Sequence, residues 1–375
     1  MPPLAQRNLL HDKVRLTVTL TGIVFAVVLI VVELGLFVGF TVTTSSIIDR
    51  SRADLWVVSK NTPYIEQGRA YSERKLYQVL ATPGVASAEK YIAHWTQWRT
   101  PDGAEESVQI IGFDTHAPSL GGPWNLVAGS VDDLRTPDAI ILDELYMKKL
   151  GVTHIGQVCE ISGRRARVVG FTRGIRSFTT SPYVFTDFKN AQGYTNLPED
   201  QTNFILVKTK PGVSVEQLRH ELESRVRDVD VLPTAKFSSM TRIYWMFTTG
   251  AGVAVLIAAV LGLVVGVVVV AQTIYATTMD HIREYGTLKA MGAANSYIYR
   301  VIITQAGISA VVGYLLAMVV SVFIVRASAS GGAAIMLPWQ MAVGIFFLTV
   351  LMCVVAAMVS ISKVTSIDPA MVFKG

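Results

Sequence analysis

Four apolar runs stand out along the chain: Leu16 to Phe40, Thr249 to Gln272, Ile298 to Val325 and Trp339 to Ser360. Each reaches the length of about 20 residues that an α-helix needs to cross a bilayer core. Between the first and second runs, residues 41–242 return to the mixed pattern of a water-soluble domain. The pattern divides the chain into a basic, amphipathic start at 1–15, a first span at 16–40, the insertion at 41–242 and a second span at 243–272. A polar connection follows at 273–297, then a third span at 298–325, a short loop at 326–338, a fourth span at 339–362 and a tail at 363–375. The first run is too long for a removable signal peptide and lacks a small-residue cleavage site.

Inside the insertion the periodicity changes every few residues. The first span is expected to continue outward as helix into the early fifties, and ADLWVVSK (53–60) reads as a strand. Ser72 is placed to cap a helix running to Ala81. Val85–Arg99 and Glu105–Phe113 flank Thr100-Pro101-Asp102-Gly103, which predicts a hairpin. Near the far end FILVKTK (204–210), the Pro211-Gly212 turn, a helix from Val215 to Arg227 and VDVLP (229–233) repeat the strand–helix–strand order. That arrangement predicts a split α+β domain with helices on one face of a sheet. Residues 121–200 read as an inserted lobe. In it DAIILDE leads into a helix to Leu150, 157–171 form a hairpin about Ser162-Gly163, and a strand at Pro182–Thr186 precedes a helix at 187–194.

Composition agrees: 51% hydrophobic and 16% charged residues, with a mean hydropathy of +0.43, is too apolar for an ordinary soluble protein. The net charge is +5, and Lys or Arg falls near the span ends at the N-terminus, at 275–299 and in the tail, against Arg326 alone in the loop 326–338. The positive-inside rule therefore puts both termini and the polar connection in the cytoplasm and the insertion outside. No Arg/Lys stripe interleaved with aromatics supports nucleic-acid binding. Cys159 and Cys353 fall on opposite sides of a solvent boundary and are expected to be unpaired. The histidines at 94, 116, 154 and 220 lack metal-ligand spacing, and no nucleophile-elbow or P-loop motif occurs. Arg164, Arg165, Arg167, Arg173 and Arg176 make a basic cluster that reads either as a solvated face or as a contact for acidic partners or headgroups.

Three places carry the functional reading. In Tyr275–Tyr299, Ile282, Tyr285, Leu288 and Met291 recur at helical spacing, with His281, Arg283, Glu284 and Lys289 largely opposite. Gly292 is placed to stop that helix, and Asn295 or Ser296 to cap the next. The segment is either a solvated turn between spans or an amphipathic helix on the membrane face offering charge to the cytosol. Glu33 is the one acid within the first span. It either lines a path or pairs at a helix contact, or it sits near the outer interface in water. Gly262-x-x-x-Gly266 allows close approach of helices, including a dimer contact.

R-E-Y-G-T-L-K-A-M-G-A at 283–293 resembles the signature of the FtsX/MacB-type (type VII) ABC transporter permeases, close to R-x-E-I-G-x-L-x-A-I-G-A. It departs in having Arg283 directly before Glu284 and Tyr285 where Ile is common. L-x-x-R-N-L-L near the N-terminus and I-D-P-A-M-V-F-K in the tail are similar to the family's first-helix entry and its ending. The insertion's layout resembles the MacB-like periplasmic domain, and RADLWVVSK, HWTQWRTPDG and GRRARVVGF resemble the DevC-like subgroup, known from glycolipid export. The resemblance implies an α-helical membrane protein with four transmembrane helices and a large α+β extracytoplasmic domain between helices 1 and 2. It implies a non-catalytic permease, homodimeric in the inner membrane, without a cofactor of its own. Two copies of a separate ATPase would bind ATP and Mg and dock on Ile282, Arg283, Glu284, Tyr285, Gly286, Leu288, Lys289, Met291 and Gly292. A membrane-fusion adaptor, an outer-membrane channel and a lipid, glycolipid or other hydrophobic cargo complete that picture. Signalling to a cell-wall hydrolase, as in the FtsX branch, or lipoprotein extraction of the LolC/LolE type are the alternatives.

Overall fold

The computed structural model describes residues 13–116, 119–280, 282–328 and 334–365. The chain divides into two compact units. One holds the four long helices and the other is the insertion, Gly39–Gly252 with Ala334.

Helix α1 (Lys13–Thr44) is followed by a single turn at Ser46–Asp49, and the insertion then opens with β1 (Leu55–Ser59). A short strand β2 (Tyr71–Ser72) and helix α2 (Lys75–Leu80) lead to the hairpin β3 (Val85–Arg99) and β4 (Glu105–Phe113). Next come β5 (Leu126–Ala128), β6 (Ala139–Asp143), β7 (Val158–Ile161), β8 (Arg164–Thr172), β9 (Tyr183–Asp187) and α3 (Phe188–Tyr194). The unit closes with β10 (Gln201–Thr202), β11 (Phe204–Thr209), α4 (Val215–Arg225), β12 (Val229–Pro233) and α5 (Thr234–Ile243). The main sheet runs β12-β1-β11-β3-β4-β9-β6-β8-β5, with β7 against β3 and β8. The long β3 is shared: its first half pairs with β11 and its second with β4 and β7. The strands of 121–200 thus extend one path through the β3–β4 hairpin.

All five residues of β1 are buried, which requires cover on both faces. Leu55 and Val57 pack under α2 and α4 through Val79, Leu218 and Leu222. Trp56 and Val58 face the opposite way, toward Phe204, Tyr91 and Phe237 of α5. Helices therefore cover both faces of this half of the sheet, not one as the strand–helix–strand order suggests. An uninterrupted apolar strand such as LWVVS carries that signal. Ser72 also lies in a strand, two residues short of the helix it was expected to cap. The β3–β4 turn matches its sequence: Gly103 has φ +87°, and its N–H donates to the Thr100 carbonyl at 2.9 Å.

The second unit consists of α1, α6 (Ala251–Asp280), α7 (Ile282–Ala290), α8 (Asn295–Ser328) and α9 (Trp339–Thr365). Among the described residues four helices, at Leu16–Thr44, Ala251–Asp280, Asn295–Ser328 and Trp339–Val359, are long and apolar enough to cross a membrane. Ile23, Ala26, Val27 and Ile30 of α1 are buried among the others. Small residues permit this. A Cβ on Gly313 would stand 2.6 Å from Ile23, and one on Gly266 would stand 3.0 Å from Ile30. The Tyr314 hydroxyl donates to the Ala342 carbonyl at 2.8 Å, tying α8 to α9. Outward-facing Val260, Leu261, Leu315, Val319, Phe347 and Leu351 leave an apolar surface suited to lipid.

Candidate functional site: the segment between the second and third long helices

α6 runs to Asp280, eight residues past the Gln272 end read from hydropathy alone, and in that extension Thr273, Thr277 and Thr278 keep their hydroxyls satisfied on carbonyls one turn earlier. The nine-residue helix α7 follows at once. It carries Glu284 in its first turn and Lys289 in its last, the polarity that offsets the helix dipole. Met291 N–H donates to the Thr287 carbonyl and Gly292 N–H to that of Lys289, each at 3.0 Å. Gly292 has φ +89°, a conformation that costs little only without a Cβ. α8 then starts with Asn295 as its first helical residue, one position before a cap at Asn295 would begin it, and Tyr297 N–H donates to the Ala294 carbonyl at 2.9 Å.

Ile282, Gly286 and Lys289, three and four residues apart, are half-buried along one side of α7. Glu284 and Thr287 lie on the exposed side, and Met291, just beyond the helix, is 72% exposed. Helical spacing groups Met291 with the apolar residues and Lys289 with the polar ones, and the structure exchanges their surroundings. The helix ends at Ala290, so Met291 falls in the turn. The side chains of Arg283, Tyr285 and Leu288, together with His281, the N-terminal stretch before Lys13 and the tail after Thr365, lie outside the described residues.

Glu33 sits half-buried on α1 with its stem in the groove left by Gly262: a Cβ at 262 would approach its Cγ to 3.0 Å. Gly262 and Gly266 both face α1 of the same chain, so their close approach is made within one molecule. A second pair escaped sequence reading. Gly35 and Gly39 of α1 receive the irregular stretch that leads into α9. Met336 N–H donates to the Gly35 carbonyl at 3.0 Å, and a Cβ at Gly39 would overlap the Ala334 carbonyl. The G-x-x-x-G spacing at 35–39 was the available signal.

In the insertion Arg173 is ion-paired with Glu144 at 2.8 Å, and Arg164 lines two open grooves, one of them together with Arg165. Cys159 and Cys353 are free thiols, and burial pushes the Cys159 thiol up to about 11. Among the described residues no cluster of His, Cys, Asp and Glu is arranged to hold a metal ion.

Residues 16–225 match the family model of the MacB-like periplasmic core domain, and residues 256–369 match that of the FtsX-like permease C-terminal region. The chain belongs to the MacB/FtsX-type ABC transporter permeases. This permease is 25% identical to an uncharacterized ABC transporter permease of Mycobacterium tuberculosis over 381 residues, covering 99% of each chain. It is 23% identical to one of Mycobacterium bovis over 377 residues, again 99% of each. The periplasmic region of MacB from Actinobacillus actinomycetemcomitans aligns with a TM-score of 0.39 at 13% identity, over 51% of this chain and 94% of that one.

Proposed function

We propose that the permease is a mechanical transmitter: two copies of a separate ATPase dock on α7, and ATP-driven closure moves α6 and, through it, the insertion. The observation that carries this reading is α7 itself, a helix with an acid in its first turn, ended by Gly292 and held between two long helices, with Glu284, Thr287 and Met291 exposed. ATP and Mg belong to the ATPase in this scheme, and the permease contributes no catalytic residue. Positive charge near the span ends supports cytoplasmic termini and an insertion outside the inner membrane. Four spans are few to enclose a path, which favours a homodimer. An outer domain of this size suits a lipid, glycolipid or other hydrophobic cargo passed on through an adaptor and an outer-membrane channel. Reversing the charges with Arg283→Glu and Glu284→Arg is expected to abolish co-purification of the ATPase and leave membrane insertion intact. Undiminished binding would overturn the docking assignment.

A further inference from the structure

Where the chain leaves the insertion, its helix is wound too wide. Tyr244–Thr248 form a π-turn, closed by Thr249 N–H donating to the Tyr244 carbonyl at 3.1 Å. Such turns are rare, strained relative to α-helix, and concentrate where function needs an out-of-register element. The backbone then doubles on itself. Gly250 has φ +76°, and a Cβ on Gly252 would lie 2.5 Å from Met246 Cα. The Thr249 hydroxyl closes the kink, donating to the Trp245 carbonyl at 2.8 Å and accepting from Ala251 N–H at 3.2 Å.

Two side chains of the turn are gripped from elsewhere in the insertion. The Tyr64 ring stacks on Tyr244, with centroids 3.8 Å apart and planes 17° from parallel. The Trp245 indole N–H donates to Glu66 Oε2 at 3.3 Å. Phe178 lies against the other side of Trp245 at 4.5 Å, and Phe40 near the end of α1 meets Phe178 edge-on at 5.5 Å. Tyr244 and Trp245 thus fasten the turn to the insertion.

We propose that residues 244–252 are a joint with two windings, and that Tyr64, Glu66 and Phe178 form the clasp that holds the π-wound one. Release of Trp245 from Glu66 lets the turn rewind as α-helix, changing the register of the following helix by one residue, about 100° and about 1.5 Å. This deepens the mechanical reading and rests on it, since the joint lies where motion of α6 would enter the insertion. Burial first, against the pull of its own backbone and the Trp245 indole, pushes Glu66 up to about 7. The phenols that feel its charge, Tyr64 and Tyr183, are themselves raised by burial, Tyr64 to about 12, and stay neutral over this range. The clasped carboxyl thus binds its proton more tightly than the released one. The clasp is firmest below the ordinary value of 4.5 and weakens as pH rises toward about 7.

The test is hydrogen exchange of amides 244–252 in the full chain, purified into lipid nanodiscs without an ATPase. Trp245→Phe keeps a ring but removes the donor, and is expected to speed exchange of these amides about tenfold while β1, β3 and β11 are unchanged. After correction for intrinsic rates, wild-type protection is expected to fall from pH 5 to pH 7.5. Glu66→Gln, which still accepts the indole hydrogen bond but cannot ionise, is expected to hold it flat. Unchanged exchange in Trp245→Phe, a uniform rise across the sheet, or equal pH dependence in wild type and Glu66→Gln would overturn the clasp. With no ATPase present, such a failure leaves the docking reading standing, and failed ATPase docking leaves this result intact.

Discussion

Asp54 shows how much one residue can organise and how little of it shows in the sequence. Its carboxylate accepts from Lys208 Nζ at 2.8 Å, Thr209 N–H at 2.9 Å and the Thr209 hydroxyl at 2.7 Å. Its own carbonyl accepts from Thr234 N–H at 3.0 Å, so the starts of β1 and α5 are fastened to the end of β11. Partial burial pulls the carboxyl up, but the Lys208 and Thr209 hydrogen bonds outweigh it and hold the group below its ordinary range. A depressed carboxyl contributes stability above its unfolded value of about 3.8 and loses it as pH falls through the lower folded value. Asp54→Asn is expected to cost about 1–2 kcal/mol at pH 7. Hydrogen exchange of the β1 and β11 amides should show that cost, and the gap from wild type should narrow as pH falls past about 3.8 and close only below the lower folded value. A gap independent of pH would mean that the charge contributes nothing.

At the scale of elements, what could be read was whatever local chemistry decides. The hairpin β3–β4 falls on the residues expected because Thr100–Gly103 dictates its own turn. α7 ends where Gly292 requires it. Contacts between distant segments were not legible in the same way: the apolar run LWVVS signals cover on both faces of β1 but not by which helices, and the Gly35–Gly39 seat and the Glu66–Trp245 bond depend on what the fold brings opposite. Gly262 and Gly266 illustrate this, since the spacing announces a close helix neighbour without saying which. The glycine map makes a sharp comparison possible. Gly39→Ala must displace the Ala334 backbone, whereas nothing lies within 4 Å of a Cβ on Gly344. Overpacking of this kind costs about 1–3 kcal/mol. Gly39→Ala is expected to lower the melting temperature of the purified protein by several degrees and Gly344→Ala to leave it unchanged. Equal behaviour would refute the seating of the 334–336 stretch on α1.

For the whole molecule, the division into an apolar helical unit and a sheet-based insertion was open to reading from hydropathy, because bilayer length and soluble patterning obey different rules. The likeness of 283–293 to the family signature added what periodicity could not, the docking role proposed for the segment between two long helices. The central claim is that the permease does no chemistry and relays motion from α7 to the insertion. Its most direct test is hydrogen exchange across residues 39–252 in the complex with its ATPase, compared between nucleotide-free enzyme and a hydrolysis-deficient ATPase saturated with ATP. A relay predicts nucleotide-dependent exchange in the insertion, largest at 234–252. Identical exchange in both states, with the ATPase demonstrably bound and closed, would contradict it.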